Sequence, residues 1–241
     1  MILEVCANSY QSAMNAQNAR AHRIELCSEL ALGGITPSYG LLKQVIKNIK
    51  IPVFVLIRPR SGNFTYSDIE FEIMKENIKF SKSLGCAGIV SGILNVDNTI
   101  DIKRTQELIE LSKPLSFTFH RAFDRVSNPF KALQQLINLG ADRILSSGQS
   151  NSARDGIGLL KDLNIEANSR LIIIPGGGIN SENISLFKIT GFNEVHCSAT
   201  TIKSVIESPK ISMNSVKFFD ETIEVVSDVD KIKDLIKKVK D

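Results

Sequence analysis

The feature that most constrains the fold is a recurring pattern of short apolar runs rich in β-branched residues. Eight such runs lie along the 241 residues, and segments with helix start and stop signals lie between them. This alternation of strand and helix predicts an α/β fold. The runs are Ile2–Cys6, Arg23–Cys27, Pro52–Arg58, Ala87–Gly92, Leu115–His120, Arg143–Ser147, Leu171–Pro175 and Glu194–Ser198.

Local signals between the runs agree with helices. Two pairs of a polar residue followed by proline predict helix starts, because the polar side chain caps a helix whose first residue is proline. One serine and glutamate pair has the spacing of a capping box, and three glycines stand where helices would end. In that order they are Thr36-Pro37, Asn128-Pro129, Ser67 with Glu70, and Gly85, Gly140 and Gly191.

We therefore predict a TIM-like (β/α)8 barrel that forms a single domain over residues 1–241. Within it, residues 199–241 would be a C-terminal segment with a closing helix, because 228–240 has the apolar spacing of an amphipathic helix. An open doubly wound sheet is the main alternative. Cys6–Ser9 follows the first run in place of a glycine-rich dinucleotide fingerprint, which favours the barrel.

Composition narrows the possible partners. The chain is 43% hydrophobic and 23% charged, so it can bury one large core, and no stretch approaches the roughly 20 apolar residues of a membrane span. The net charge of +3 comes partly from C-terminal lysines without an aromatic platform, so we expect neither nucleic acid nor a membrane as partner. We expect a cytoplasmic protein with four free or metal-binding cysteines, and a homo-oligomer is possible.

Polar residues gather where the predicted strands end. The carboxyl ends of barrel strands form the functional face, and side chains that point into the barrel share one parity along each strand. Charged groups inside a barrel must pair or meet water, so they predict a working pocket; a structural ion-pair network is the alternative. The residues of this parity are Glu4, Cys6, Glu25, Cys27, Arg58, Thr118, His120, His196 and Ser198.

Three further features at the strand ends suggest an anion site. The glycine turn that begins with Gly176 and Gly177, together with Ser198, lies where many barrels bind phosphate, although a plain tight turn is the alternative. Arg58 and Arg60 begin a long loop and could hold a carboxylate or phosphate, or instead neutralise the two carboxylates below. Arg121 and Asp124 follow His120 at the end of the fifth run.

Cys6 and Cys27 follow similar sequences, Leu-Glu-Val-Cys and Ile-Glu-Leu-Cys, and would meet if their strands are neighbours. Two thiols at that distance permit a shared metal ion, a disulfide, or simple packing of small residues. Soft thiolates select cuprous copper, and His196 would lie nearby once the barrel closes.

Several of these motifs, in order and at successive strand ends, resemble the CutC family of copper homeostasis proteins over about residues 2 to 200. The resemblance implies a TIM-like barrel, a cytoplasmic location, and binding or trafficking of Cu(I), with Cys6 and Cys27 as the ligands. The motifs are Leu3–Cys6, Arg23–Cys27, Gly34–Ser38, Ile57–Arg60, Tyr66–Asp68, Thr118–Asp124, Ser147–Gln149, Pro175–Ile179 and Glu194–Ala199.

The pocket residues also support a second hypothesis, a barrel enzyme that acts on a small anionic or sugar-like metabolite. Glu25 or His120 would then be the general acid or base, and His120 suits this role because the pKa of a histidine can be placed near neutrality. Arg58 and the glycine turn would hold the anion of the substrate. The sequence favours copper binding but leaves enzyme activity open.

Overall fold

The structure is a computed structural model that describes residues 1–204, 211 and 223–240. Its main sheet contains β1 (Ile2–Ala7), β2 (Arg23–Leu26), β3 (Val53–Leu56), β4 (Gly88–Ser91), β5 (Ser116–Phe119), β6 (Arg143–Ser146), β7 (Ile172–Pro175) and β8 (Glu194–Cys197). The helices are α1 (Tyr10–Asn18), α2 (Tyr39–Asn48), α3 (Asp68–Leu84), α4 (Ile102–Ser112), α5 (Pro129–Leu139), α6 (Ile157–Ala167), α7 (Ile184–Ile189) and α8 (Val229–Lys240). Short 3-10 helices cover Leu30–Leu32 and Arg121–Arg125, and β9 (Thr200–Ser204) pairs with β10 (Ile223–Ser227).

The eight strands form one parallel sheet in the order β7-β6-β5-β4-β3-β2-β1-β8. A parallel bridge between Gly176 and His196 joins the two ends of that order, so the sheet closes on itself. The predicted (β/α)8 barrel is therefore confirmed, and the open sheet is excluded. Closure places β1 between β2 and β8, with Glu4 beside Arg23 on one side and His196 on the other.

Most predicted helix boundaries are confirmed. Asn128 caps α5, Ser67 and Glu70 form the capping box of α3, and Gly85 ends that helix with a φ of +90°. The Thr36 cap was wrong, because α2 starts at Tyr39 and is capped by Ser38. Thr36 instead pairs with Arg58, whose backbone N–H donates to the threonine hydroxyl at 2.8 Å, and this holds the segment extended.

The C-terminal segment packs against the start of the chain. Helix α8 buries Ile232, Leu235, Ile236 and Val239 and contacts α1, α7 and β1. The sequence did not predict the β9–β10 hairpin, which receives a hydrogen bond from Asn8 to the Val225 carbonyl at 2.9 Å. Of the predicted segment 199–241, positions 205–210, 212–222 and 241 lie outside the described residues.

Candidate functional site

The lowest layer of the barrel interior is a buried network of charges. Arg23 contacts Glu4 at 2.5 Å and Glu194 at 2.5 Å, and Arg143 contacts Glu194 at 3.1 Å. Both arginines also lie over the ring of Phe54. The carboxylate of Glu4 is thus neutralised by Arg23, and not by Arg58 or Arg60 as the sequence had allowed.

Sequence reasoning missed Arg23, Arg143 and Glu194 as members of this interior, although a signal existed. Arg23 shares the parity of Glu25 and Cys27, and Glu194 shares that of His196. The parity rule applied to whole strands would have included them.

Above this layer the two cysteine thiols face each other. The Sγ atoms of Cys6 and Cys27 are 3.5 Å apart, and both residues are buried and free. Cys27 packs in a small apolar cluster with Leu56 and Val90, while Cys6 borders a cavity. The hydroxyl of Ser227 in β10 donates to the Cys6 carbonyl at 3.2 Å, so the C-terminal hairpin helps to position this strand end.

His196 lies beside Cys6, as expected from the neighbouring positions of β8 and β1. Its Nδ1 is 2.8 Å from Glu4 Oε1 and 3.9 Å from Glu25 Oε2. Among the described residues, the ligand atoms of Cys6, Glu25 and His196 form a group within 4.8 Å of one another. A thiol, a carboxylate and an imidazole therefore converge at one point.

The two carboxylates at this point have opposite protonation behaviour. Burial disfavours the charge of Glu4, but Arg23 and His196 outweigh it and lower the pKa of Glu4 to about 2. Burial raises the pKa of Glu25 to about 7, because its attraction to His196 and Arg23 is too weak to compensate and Glu4 repels it. Glu4 is thus a permanent anion, whereas Glu25 titrates near neutrality.

The neighbouring imidazole and thiol are shifted as well. Burial opposes the charged form of His196, but hydrogen bonds to Cys6 and Glu4 and the charge of Glu25 keep its pKa well above the usual range. The hydrogen bond to Cys27, together with burial, raises the pKa of the Cys6 thiol. In the absence of metal the site therefore contains an imidazolium next to a neutral thiol.

A cavity of about 210 Å³ opens from this group toward the carboxyl ends of the strands. Apolar side chains and a glycine turn alternate with polar groups in its wall, so it can admit a small polar molecule. Its lining includes Cys6, Glu25, Leu56, Arg58, Phe64, His120, Arg121, Leu145, Gly177, Gly178, Ile179, His196, Cys197 and Ser198.

His120 contributes a neutral ring to the cavity wall. Burial and the charge of Arg58 lower the pKa of His120 to about 3, so the expectation that it titrates near neutrality was wrong. Its Nδ1 accepts a hydrogen bond from the Ala122 N–H at 3.2 Å, which leaves the proton on Nε2. In the described part of the chain this buried Nε2 has no partner.

The two arginines of the long loop have different places. Arg58 lines the cavity, and its Nη atoms donate to the carbonyls of Leu32, Gly34 and Gly62, while its buried Nε has no partner among the described residues. Arg60 lies outside the cavity lining. Its guanidinium pairs with Glu70 of the capping box and so supports the start of α3.

The other predicted residues lie along the upper wall. Arg121 borders the cavity and pairs with Asp124 at 2.8 Å, which in turn accepts a hydrogen bond from Ser146 at 2.5 Å. Gly177 and Ser198 line the cavity, whereas Gly176 forms the bridge to His196. Thr118 is buried, and its hydroxyl has no partner in the described ranges.

Known proteins share both sequence and fold with this chain. The model of the CutC family matches residues 1–201. The copper homeostasis protein cutC homologs of Mus musculus and Homo sapiens are each 42% identical, over 100% and 97% of this chain and 90% and 87% of their own length. A CutC crystal structure from Streptococcus agalactiae is 38% identical with a TM-score of 0.77, covering 82% of this chain and 98% of that one.

More distant structures share the barrel alone. An aldolase, QR15, is 11% identical with a TM-score of 0.63, over 82% of this chain and 89% of its own. No helix in the described ranges is long and apolar enough to cross a membrane.

The family match over most of the chain and the high identity to the two mammalian homologs lead to one conclusion: the chain belongs to the CutC family of copper homeostasis proteins.

Proposed function

We propose that this protein is a cytoplasmic copper homeostasis protein that binds Cu(I) through Cys6 and Cys27. The observation that carries the proposal is the 3.5 Å separation of the two Sγ atoms, which allows both to contact one ion. Thiolates are soft ligands and select cuprous copper over harder cations. The names of the mammalian relatives support a role in copper homeostasis.

The surroundings of the thiols fit a soft ion. Cys27 is fully buried among apolar side chains, which favours a low-charge ion held by thiolates over a hydrated one. Cys6 borders the cavity, so the cavity provides a route by which copper can reach the pair. A ligand atom of His196 lies within 4.8 Å of the Cys6 Sγ, so His196 could support the ion as a third group.

A competition titration tests this proposal. Cu(I) is titrated under anaerobic reducing conditions against a colorimetric Cu(I) chelator, with the parent protein, Cys6→Ser, Cys27→Ser and Cys86→Ser. We expect loss of either paired thiol to weaken binding by on the order of a hundredfold, about 3 kcal/mol. The buried Cys86 is the matched control and should leave binding unchanged. Equal affinity of the parent and Cys27→Ser would contradict the proposal.

Unpaired polar groups around the cavity favour a second candidate, an enzyme that acts on a small anionic or sugar-like metabolite. Glu25 Oε2, His120 Nε2 and Arg58 Nε are buried and have no hydrogen-bond partner among the described residues. Buried polar atoms without partners are rare and are satisfied when a ligand binds. In this function Glu25 would transfer protons, and His120 would donate a hydrogen bond from Nε2.

A thermal-shift screen with phosphorylated and carboxylated metabolites tests the second candidate in metal-free protein. We expect at least one compound to raise the melting temperature of the parent. His120→Asn should abolish the increase, because asparagine keeps the acceptor for Ala122 but cannot place a donor at Nε2. Absence of any stabilising compound would argue against the enzyme.

A further inference from the structure

We propose that Cys6, Glu25 and His196 form a second metal site, which takes a divalent ion of the zinc class and keeps one coordination position open to the cavity. The three ligand atoms lie within 4.8 Å of one another, which is the spread expected of ligands around one ion. The site shares Cys6 with the proposed Cu(I) pair but does not use Cys27, so the two ions compete for one thiolate.

The donor set selects the ion. Zinc is bound by cysteine sulfur, histidine nitrogen and carboxylate oxygen, and three protein ligands with a free fourth position are typical of its reactive sites. A carboxylate is a hard ligand that is poorly matched to Cu(I), whereas zinc accepts carboxylate, imidazole and thiolate together. The set of Cys6, Glu25 and His196 therefore prefers a different metal ion from the pair of Cys6 and Cys27.

The residues behind the ligands are arranged as in known metal sites. Glu4 contacts His196 Nδ1 at 2.8 Å, which leaves the other ring nitrogen to act as the ligand. Arg23 in turn pairs with Glu4 at 2.5 Å and fixes that carboxylate. A carboxylate that orients a metal-binding histidine is a common outer-shell partner and increases the basicity of the ring.

Glu25 supplies an independent indication of a ligand. The residue is buried, and its Oε2 has no hydrogen-bond partner within the described ranges. Its nearest cation is His196, whose Nδ1 is 3.9 Å away. A bound cation would provide a partner for this oxygen, and no side chain among the described residues provides one.

The open position follows from the location of the three ligands. Cys6, Glu25 and His196 all line the cavity of about 210 Å³, whereas Cys27 does not. An ion held by the three therefore borders free space on its cavity side. His120 and Arg121 line the same cavity and could contact a small anion that occupies the fourth position.

Zn²⁺ affinity measured by competition with a fluorescent chelator, under reducing conditions, tests the site. We expect Glu25→Gln to weaken Zn²⁺ binding by on the order of tenfold or more while Cu(I) affinity stays within about threefold of the parent. Cys27→Ser should give the reverse pattern, with Zn²⁺ binding kept and Cu(I) binding lost. If Glu25→Gln binds Zn²⁺ as tightly as the parent, the second site does not exist, whatever the result for Cu(I).

Co²⁺ provides a probe that does not depend on the folding of a histidine variant. The parent protein with Co²⁺ should show a sulfur-to-cobalt charge-transfer band and tetrahedral ligand-field absorption, and Cys6→Ser should lose the charge-transfer band. Azide added to the cobalt protein should change the ligand-field bands, because it enters the open position. An unchanged spectrum with azide would overturn the open position, and absence of the charge-transfer band in the parent would overturn Cys6 as a ligand.

Discussion

His120 shows how strongly a residue's surroundings decide its chemistry. It follows β5 in a motif that predicted a base near neutrality, yet burial and Arg58 lower its pKa to about 3. The ring is therefore neutral across the physiological range and carries its proton on Nε2. Of the two acid–base candidates, it is Glu25 whose pKa lies near neutrality, because burial raises that pKa to about 7.

The depressed pKa of His120 predicts a specific acid sensitivity. The unfolded chain takes up this proton below about pH 6.5, but the folded protein does not until about pH 3. The stability that neutral His120 preserves is thus lost progressively as the pH falls below 6.5. Between pH 6.5 and pH 5, the free energy of unfolding of the parent should therefore decrease by about 2 kcal/mol more than that of His120→Asn.

Denaturant unfolding of metal-free protein at the two pH values measures this difference. The exposed His22 is the control, because it also accepts a backbone N–H at its Nδ1 but is much less buried. His22→Asn should show a smaller pH effect. A parallel pH dependence of the parent and His120→Asn would rule out the depressed pKa.

Arg23 links the buried carboxylates in the lowest layer of the barrel interior, so its removal should strongly lower the free energy of unfolding. Arg23→Met would leave Glu4 and Glu194 buried without their shared cation. We expect a loss of about 3–5 kcal/mol in the free energy of unfolding, which is typical when one partner of a buried ion pair is removed. Lys79→Met, which breaks an exposed pair with Glu76, should cost less than about 1 kcal/mol in the same measurement.

At the scale of elements, the loop between β6 and α6 approaches itself so closely that it needs glycine. A Cβ on Gly156 would lie 2.0 Å from the Ser147 carbonyl oxygen, and a Cβ on Gly148 would lie 2.2 Å from the Gly156 oxygen. Both neighbours are backbone atoms and cannot turn away. The loop also carries Ser147, whose hydroxyl accepts a hydrogen bond from Arg121 at 2.8 Å.

Two glycine variants distinguish the effect of this close backbone approach on stability from the effect of helix propensity. Gly156→Ala should destabilise the protein by about 2 kcal/mol or more, because the backbone must move to relieve the overlap. Gly158 lies in α6 with open space around it, so Gly158→Ala should stabilise by about 0.5–1 kcal/mol. Thermal unfolding of both variants gives the comparison, and similar effects of the two would show that the loop is not tightly constrained.

The elements also show which parts of the fold and site were predictable. The strand runs and the caps at Ser67 and Asn128 depend on local chemistry, and they are confirmed. The Thr36 cap failed because Arg58, distant in sequence, pairs with it. The alternation of side chains along each strand predicted that Glu25 and His196 lie inside the barrel. The direction of each pKa shift, however, depends on which carboxylate Arg23 contacts, and the sequence pattern does not specify that contact.

At the scale of the whole molecule, the end of the chain packs against the closed barrel. The family match ends at residue 201, yet α8 buries four apolar side chains and β10 supports the Cys6 strand end through Ser227. Each side chain of that size contributes about 1.5–3 kcal/mol when buried. We therefore expect the described residues 223–240 to contribute to the stability of the barrel.

Truncation after residue 201 tests this dependence. We expect the shortened chain to lose its cooperative thermal transition. The free energy contributed by burying the apolar side chains of α8 is comparable to the total free energy of unfolding of a domain. Lys233→Ala, on the exposed face of α8, is the control and should melt within a few degrees of the parent. A truncated chain with the melting temperature of the parent would show that the segment is dispensable.

The pairing of β1 with β8 has a consequence for the order of events when the protein is made. Glu4 and His196 are neighbours in space but are separated by 192 residues, so their contact cannot form before β8 has been synthesised. Cys6 and His196 lie on the two strands of this seam, so the site that we propose for Cys6, Glu25 and His196 would be incomplete in the growing chain until then. A nascent chain on the ribosome would therefore present Cys6 and Cys27 as separate thiols, and the ion binding that we propose would begin only when the barrel closes.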